Sequence, residues 1–208
     1  MSSALYKLSE FFIIFIGIPV VFTFQFSTWV KLTIGIIGFI YIIIMLLRVE
    51  KLQLKITPNL NWKPFFKKLS LKLLLIAFTT FLFVFFTEKE ALFNVVINKP
   101  KLWVLILFIY SLFSVYPQEL MYRTFFFQRY KELISNKSLF IFINATVFSL
   151  GHIFFRNTLV LVLTFFGGLL FAITYSKTKS TFLVSIEHAI YGSWLFTVGM
   201  GDMLGFPS

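Results

Sequence analysis

From residue 11 onward the chain alternates long apolar runs with short polar interruptions. Seven runs approach the roughly 20 apolar residues that a helix needs to cross a bilayer, at about 11–30, 32–47, 71–87, 102–117, 139–155, 158–175 and 182–198. Together they predict an all-α, polytopic transmembrane helix bundle of seven to eight membrane helices. The first run follows Lys7, but IGIPVVFTFQF carries no small-residue cleavage pattern and leads directly into the second run, so it predicts an uncleaved first helix. The stretch ITPNLNWKP, with its prolines, asparagines and Trp62, reads as an interfacial connector. The expected organisation is an amino-terminal transmembrane hairpin at 1–50, a basic connector at 51–70 and a membrane helix bundle at 71–208. No internal repeat is visible.

Composition supports this pattern. Of 208 residues, 59% are hydrophobic and 13% charged, and the mean hydropathy of +0.90 excludes an ordinary soluble domain. Cysteine is absent, which excludes disulfides, thiolate metal ligands and thiol nucleophiles. The net charge of +11 would suggest nucleic acid in a soluble protein, but the placement of the charges points elsewhere. Arg48, Lys51, Lys55, Lys63, Lys67, Lys68 and Lys72 oppose only Glu50 between the second and third runs, a net +6. The positive-inside rule then places that loop and the amino terminus in the cytoplasm. It also places 118–138 and 176–181 inside and the near-neutral 88–101 outside. The expected setting is a bacterial inner membrane, with the basic face meeting anionic lipid and no nucleic-acid partner.

Polar residues within the apolar runs form three clusters. The first is YPQELMYR, in which Pro117 either opens a new helical segment or lets the fourth span continue through a kink. Glu119 and Arg123 are then four apart on one face, an ordinary helical pair or part of a site. The second is FSLGH, Phe148 to His152, and the third is SIEHAIYG, Ser185 to Gly192. They hold both histidines of the chain, and ionisable groups at membrane depth are expensive enough to suggest function.

Two chemistries are open. Both histidines could be axial ligands of a haem, with Gly151, Gly167 and Gly168 making room for the macrocycle. Alternatively, Glu119, His152 and His188 form a two-His, one-carboxylate set for a divalent metal, zinc in the first instance, with a water in the open position. The second reading also uses Arg123, since an opposite charge favours an ionised, oriented carboxylate. Gly167 and Gly168 otherwise read as helix-contact positions, and the terminal VGMGDMLGFPS as a flexible end.

The order of the clusters resembles the CPBP intramembrane proteases, also called the Abi or CAAX-protease and bacteriocin-processing family. Its motifs are EExxxR, FxxxH and HxxxN or HxxxD; here they read QELMYR, FSLGH and HAIYG, across roughly 102–200. The resemblance implies an endopeptidase in which activated water hydrolyses a peptide bond of a membrane-associated or lipidated substrate. It implies Glu119, Arg123, His152 and His188 as catalytic residues, and Gln118, Phe148, Gly192 and Ser193 at the substrate. Family members are described both with and without a metal.

Two departures from the motifs matter. Gln118 stands at the first glutamate and cannot act as a general base, which leaves Glu119. Successive residues of an α-helix point about 100° apart, so Glu119 can replace its neighbour only if the helix is rotated or kinked there. Glu187 is turned away from the face of His188 and reads as structural. Gly192 removes an oxyanion donor, and Ser193 and Gln118 are candidates to supply one in its place. A non-cleaving member that binds a hydrophobic or lipidated peptide is the alternative.

Overall fold

The computed structural model describes residues 3–51 and 62–205, and the regular structure in them is entirely helical. The long helices are α1 (Ala4–Val21), α2 (Thr28–Val49) and α3 (Trp62–Thr87). A short α4 (Asn94–Asn98) precedes α5 (Pro100–Tyr130). After it come α6 (Lys137–Leu150), α7 (Thr158–Thr178) and α8 (Thr181–Val198). Six of these, α6 counted with the turn that carries it to Phe155, are long and apolar enough to span a membrane. Of the seven expected spans, α8 is the exception, because Ser185, Glu187, His188, Gly192 and Ser193 dilute its apolarity. Residues 52–61, which hold most of ITPNLNWKP, lie outside the described residues.

Local capping explains several boundaries. Ser3 Oγ accepts from the Tyr6 backbone N–H at 3.2 Å and starts α1 seven residues before the expected run. Asn136 Oδ1 accepts from Leu139 N at 3.0 Å, and Asn157 Oδ1 accepts from Leu159 N at 2.9 Å, which fixes the starts of α6 and α7. Pro117 opens no new helix. The backbone is π-helical at Tyr110–Val115, and again at Leu120–Phe125, so α5 runs through the proline. A proline ring clashes with the preceding turn of an α-helix and donates no hydrogen bond, and a π-helical turn relaxes both constraints.

The chain forms two compact units, each from two separate stretches: Met1–Leu54 with Pro117–Thr181, and Lys55–Tyr116 with Phe182–Ser208. The division cuts across the linear organisation read from the sequence. The amino-terminal hairpin packs with the segment that follows Pro117, and the expected 71–208 bundle is shared between the units.

In the first unit, Phe15 of α1 is fully buried. Its ring packs edge-on against Tyr122, Phe126 and Tyr130 of α5, with centroids 5.4, 5.4 and 5.9 Å away. Beside this aromatic core lies an ion network that the sequence reading did not foresee. Arg129, expected as a topology-setting charge in a cytoplasmic loop, is instead 1% exposed. Its Nε donates to Glu10 Oε2 at 2.7 Å and its Nη1 to Glu50 Oε1 at 3.1 Å. Tyr130 Oη donates to Glu10 at 3.2 Å, and Tyr41 Oη also donates to Glu10. The stretch expected as a basic loop at 118–138 is therefore helix as far as Tyr130. Lys131 and Lys137 flank the turn that follows. Lys179, beyond the end of α7, has its pKa lowered by burial first and then by these two lysines.

Helices α6 and α7 meet closely at Gly168, where a Cβ would lie 3.0 Å from Ala145 Cα and 3.2 Å from Phe148 Cδ1. Gly167 meets only Phe171 of its own helix. In the second unit, Ile106, Tyr110 and Val115 of α5 pack with Phe196 of α8. Trp103 Nε1 donates to Thr197 Oγ1 at 3.0 Å, and Trp194 Nε1 to Thr80 Oγ1 at 2.8 Å. The glycine-rich end reaches back onto the second unit at Leu204, which packs against the cluster of Ile106, Tyr110, Val115 and Phe196. Gly199 has φ +109°, where a Cβ would meet the Ala91 carbonyl oxygen at 2.2 Å.

Removing one partner of a buried ion pair strands the other. Arg129→Ala should therefore lower stability by about 3–5 kcal/mol, read by thermal unfolding in detergent. Lys7→Ala breaks the pair with Glu132, whose side chain is 66% exposed, and should cost under about 1 kcal/mol.

Candidate active site

In the first unit, Glu119 and Arg123 face each other one turn apart on α5, both with 0% exposure, and Arg123 Nε stands 3.3 Å from Glu119 Oε2. The guanidinium is held from α6 as well. Arg123 Nη1 donates to Asn144 Oδ1 at 2.7 Å, and Asn144 Nδ2 donates to the Tyr122 carbonyl at 2.6 Å. The Phe148 ring lies 4.7 Å from the guanidinium carbon, and Phe171 of α7 lies at 5.8 Å. A carboxylate one turn away, an amide acceptor and two aromatic rings give this guanidinium a setting in which it can stay charged. Asn144 was missed in the sequence. Its signal was that of a lone amide in LFIFINATVF, four residues before Phe148.

Phe148 is 1% exposed. It packs against Tyr122, Arg123 and Phe171, so it supports the charged pair from behind.

Beyond the last turn of α6, the backbone turns at Gly151 and His152. His152 Nδ1 lies 2.8 Å from the Phe148 carbonyl oxygen. A carbonyl can only accept, so Nδ1 carries the proton; in the neutral imidazole the lone pair is then on Nε2, the form required of a base or a metal ligand. Gly151 leaves no room for a macrocycle. A Cβ there would lie 2.1 Å from Tyr122 Oη, so the space is already filled by the tyrosine.

In the second unit, His188 is 7% exposed and sits edge-on to Tyr110, with centroids 6.0 Å apart. Glu187 points away and is structural in this unit: Lys72 Nζ donates to its Oε1 at 2.7 Å, and Tyr191 Oη donates to the same oxygen at 3.0 Å. Lys72, counted among the basic loop residues in the sequence, thus belongs to α3 and neutralises a buried carboxylate. Gly192 is filled in the same way as Gly151, since a Cβ there would lie 1.8 Å from Tyr110 Oη. Ser193 lines an open apolar groove of 410 Å³ with Leu73, Trp103, Ser111, Trp194 and Thr197. Gln118 is half-buried beside the fully buried Glu119. Of the two adjacent residues, the carboxylate is the one held in the interior by a fixed cation.

A family model described as type II CAAX prenyl endopeptidase Rce1-like matches residues 100–194. That segment, a little under half of the chain, is similar to the CPBP family. The CPBP segment begins with α5 and ends within α8, so it contains all three motifs and both tyrosine-filled glycines. No match was found among curated proteins or among solved structures.

A catalytic divalent metal is generally held by three protein ligands. Among the described residues, neither unit contains a group of three histidine or acidic side chains that could hold one. Glu119 and His152 belong to the first unit, where the carboxylate is already shared with a guanidinium, and His188 belongs to the second. That donor set does not make a metal centre within either unit.

Gly151→Ala would push a methyl into Tyr122 Oη. It should cost about 1–3 kcal/mol, and adding Tyr122→Phe should recover part of the loss. Thermal unfolding of the two variants checks both expectations.

Proposed function

We propose that the protein is an intramembrane endopeptidase of the CPBP type, in which Glu119 activates a water for attack on a peptide bond of a lipidated or membrane-associated substrate. The CPBP match supports a membrane endopeptidase at the level of the family. The observation that carries the residue assignment is the wholly buried Glu119–Arg123 pair, locked by Asn144, in the same unit as a histidine whose tautomer presents Nε2.

Glu119 takes a proton from water as the oxygen attacks the carbonyl carbon, and the new C–O bond gives a tetrahedral oxyanion. Collapse breaks the C–N bond, and the proton held by the carboxyl passes to the departing amine. Arg123 fixes the orientation of the carboxylate throughout. His152 Nε2 accepts a hydrogen bond from the same water. His188 is assigned to the oxyanion on the strength of its motif. A divalent ion, were one bound, would draw on Glu119, His152 and His188 and would supply Lewis acidity. The substrate is a hydrophobic or lipidated peptide reached from the membrane, and the amino terminus is cytoplasmic.

A second reading rests on Gln118 and Gly192, namely a family member that binds such a peptide without cutting it. A quenched fluorescent peptide bearing a farnesylated cysteine followed by three residues separates the two. Wild-type protein should cleave it, while Glu119→Gln and His152→Ala should each lower kcat by at least about 10² without loss of membrane insertion. Cleavage unchanged in Glu119→Gln contradicts the mechanism, and binding without cleavage by the wild type favours the second reading. Metal analysis of wild type beside the His152→Ala and His188→Ala double variant decides the metal: stoichiometric metal lost in the variant supports it.

A further inference from the structure

Gly192 stands four residues after His188 on α8, so the two positions share a face. The absence of a side chain at 192 would leave that face with one polar group if nothing else entered it. The structure puts Tyr110 there. A Cβ at 192 would lie 1.8 Å from Tyr110 Oη, 2.4 Å from Cζ and 2.6 Å from Cε1, so the phenol and any side chain at 192 exclude each other.

The phenol is also fixed in place. Its ring is 8% exposed, stands edge-on to Phe196 with centroids 4.7 Å apart, and is edge-on to His188 at 6.0 Å. A rigid ring between a histidine and a bare stretch of helix backbone presents one hydroxyl at a defined place. Tyr110 also opens the π-helical stretch Tyr110–Val115, a distortion of α5 that changes which residues face α8.

We infer that the Tyr110 hydroxyl is an oxyanion donor of this enzyme, working beside His188 in the space that a side chain at position 192 would otherwise fill. The inference rests on the endopeptidase reading above. The phenol O–H donates a hydrogen bond to the carbonyl oxygen as negative charge develops there. No proton leaves the tyrosine, and the donor is preorganised because Phe196 and the α8 backbone hold the ring. Gly192 is thus a requirement for Tyr110, and the apparent loss of a donor at 192 is a relocation to α5.

The test uses the farnesylated peptide and full-length protein in detergent. Tyr110→Phe keeps the ring and its packing and removes only the donor; its kcat should fall by about 10²–10³, with KM changed by no more than a few fold and thermal stability retained. Gly192→Asn alone should be destabilised by collision with the phenol. Tyr110→Ala empties the space, and Tyr110→Ala with Gly192→Asn should be faster than Tyr110→Ala by at least about tenfold, since the asparagine amide then supplies the donor. A wild-type kcat in Tyr110→Phe overturns the inference, as does a double variant no faster than Tyr110→Ala. If the wild type cleaves and Glu119→Gln abolishes cleavage while Tyr110→Phe does not, the endopeptidase reading stands and only Tyr110 falls. If the wild type does not cleave the peptide, both fall.

Discussion

Among 208 residues that are mostly apolar, the guanidinium of Arg123 is the group hardest to place, and the helices around it are arranged to place it. One turn earlier on α5, Glu119 supplies a countercharge at 3.3 Å. From α6, Asn144 accepts at 2.7 Å, and its own amide is spent on the Tyr122 carbonyl, so it cannot swing away. From α6 and α7, Phe148 and Phe171 cover the guanidinium face. A charge without such partners would cost several kcal/mol in this setting. The same contacts that satisfy Arg123 fix the carboxylate that the mechanism uses and bring the Phe148 carbonyl, which sets the His152 tautomer, into register with it.

Helix α5 carries the other constraint. It contains Tyr110, Glu119, Tyr122, Arg123 and Arg129, which a regular α-helix would distribute by a single rotation per residue. Two π-helical stretches break that regularity and allow Pro117 inside the span. They also set Tyr122 against Gly151 and Tyr110 against Gly192, so each histidine-bearing segment has a glycine filled by a tyrosine of α5. The glycines are accordingly packing positions whose occupant comes from another helix. This also removes the rationale for a haem, because the space the macrocycle needed at Gly151 belongs to a side chain.

Legibility in the sequence followed the range of the interaction. The apolar runs, the helical class and the motif residues Glu119, Arg123, His152 and His188 were visible because each depends on local composition or on i,i+4 spacing. Glu187, set apart from His188 by the angle between neighbours on a helix, accepts from Lys72 and Tyr191. Asn144, Tyr110 and the Glu10–Arg129–Glu50 network were not visible, because their meaning lies in partners between 21 and 119 residues away. Arg129 was misread for that reason: a basic residue near a helix end resembles a topology signal until its carboxylates are seen. The continuity of α5 was one of two readings of Pro117, and the π-helical turns that decide it are not written in local composition.

The central claim is that Glu119 and Arg123 act as one unit, each satisfied by the other. A double-mutant cycle of Glu119→Gln, Arg123→Gln and the combined variant, followed by thermal unfolding in detergent, tests it most directly. Each single variant should lose about 3–5 kcal/mol by stranding a buried charge, and the double variant should lose less than the sum by more than about 1 kcal/mol. Losses that simply add would show that the two residues are satisfied independently and would contradict the account.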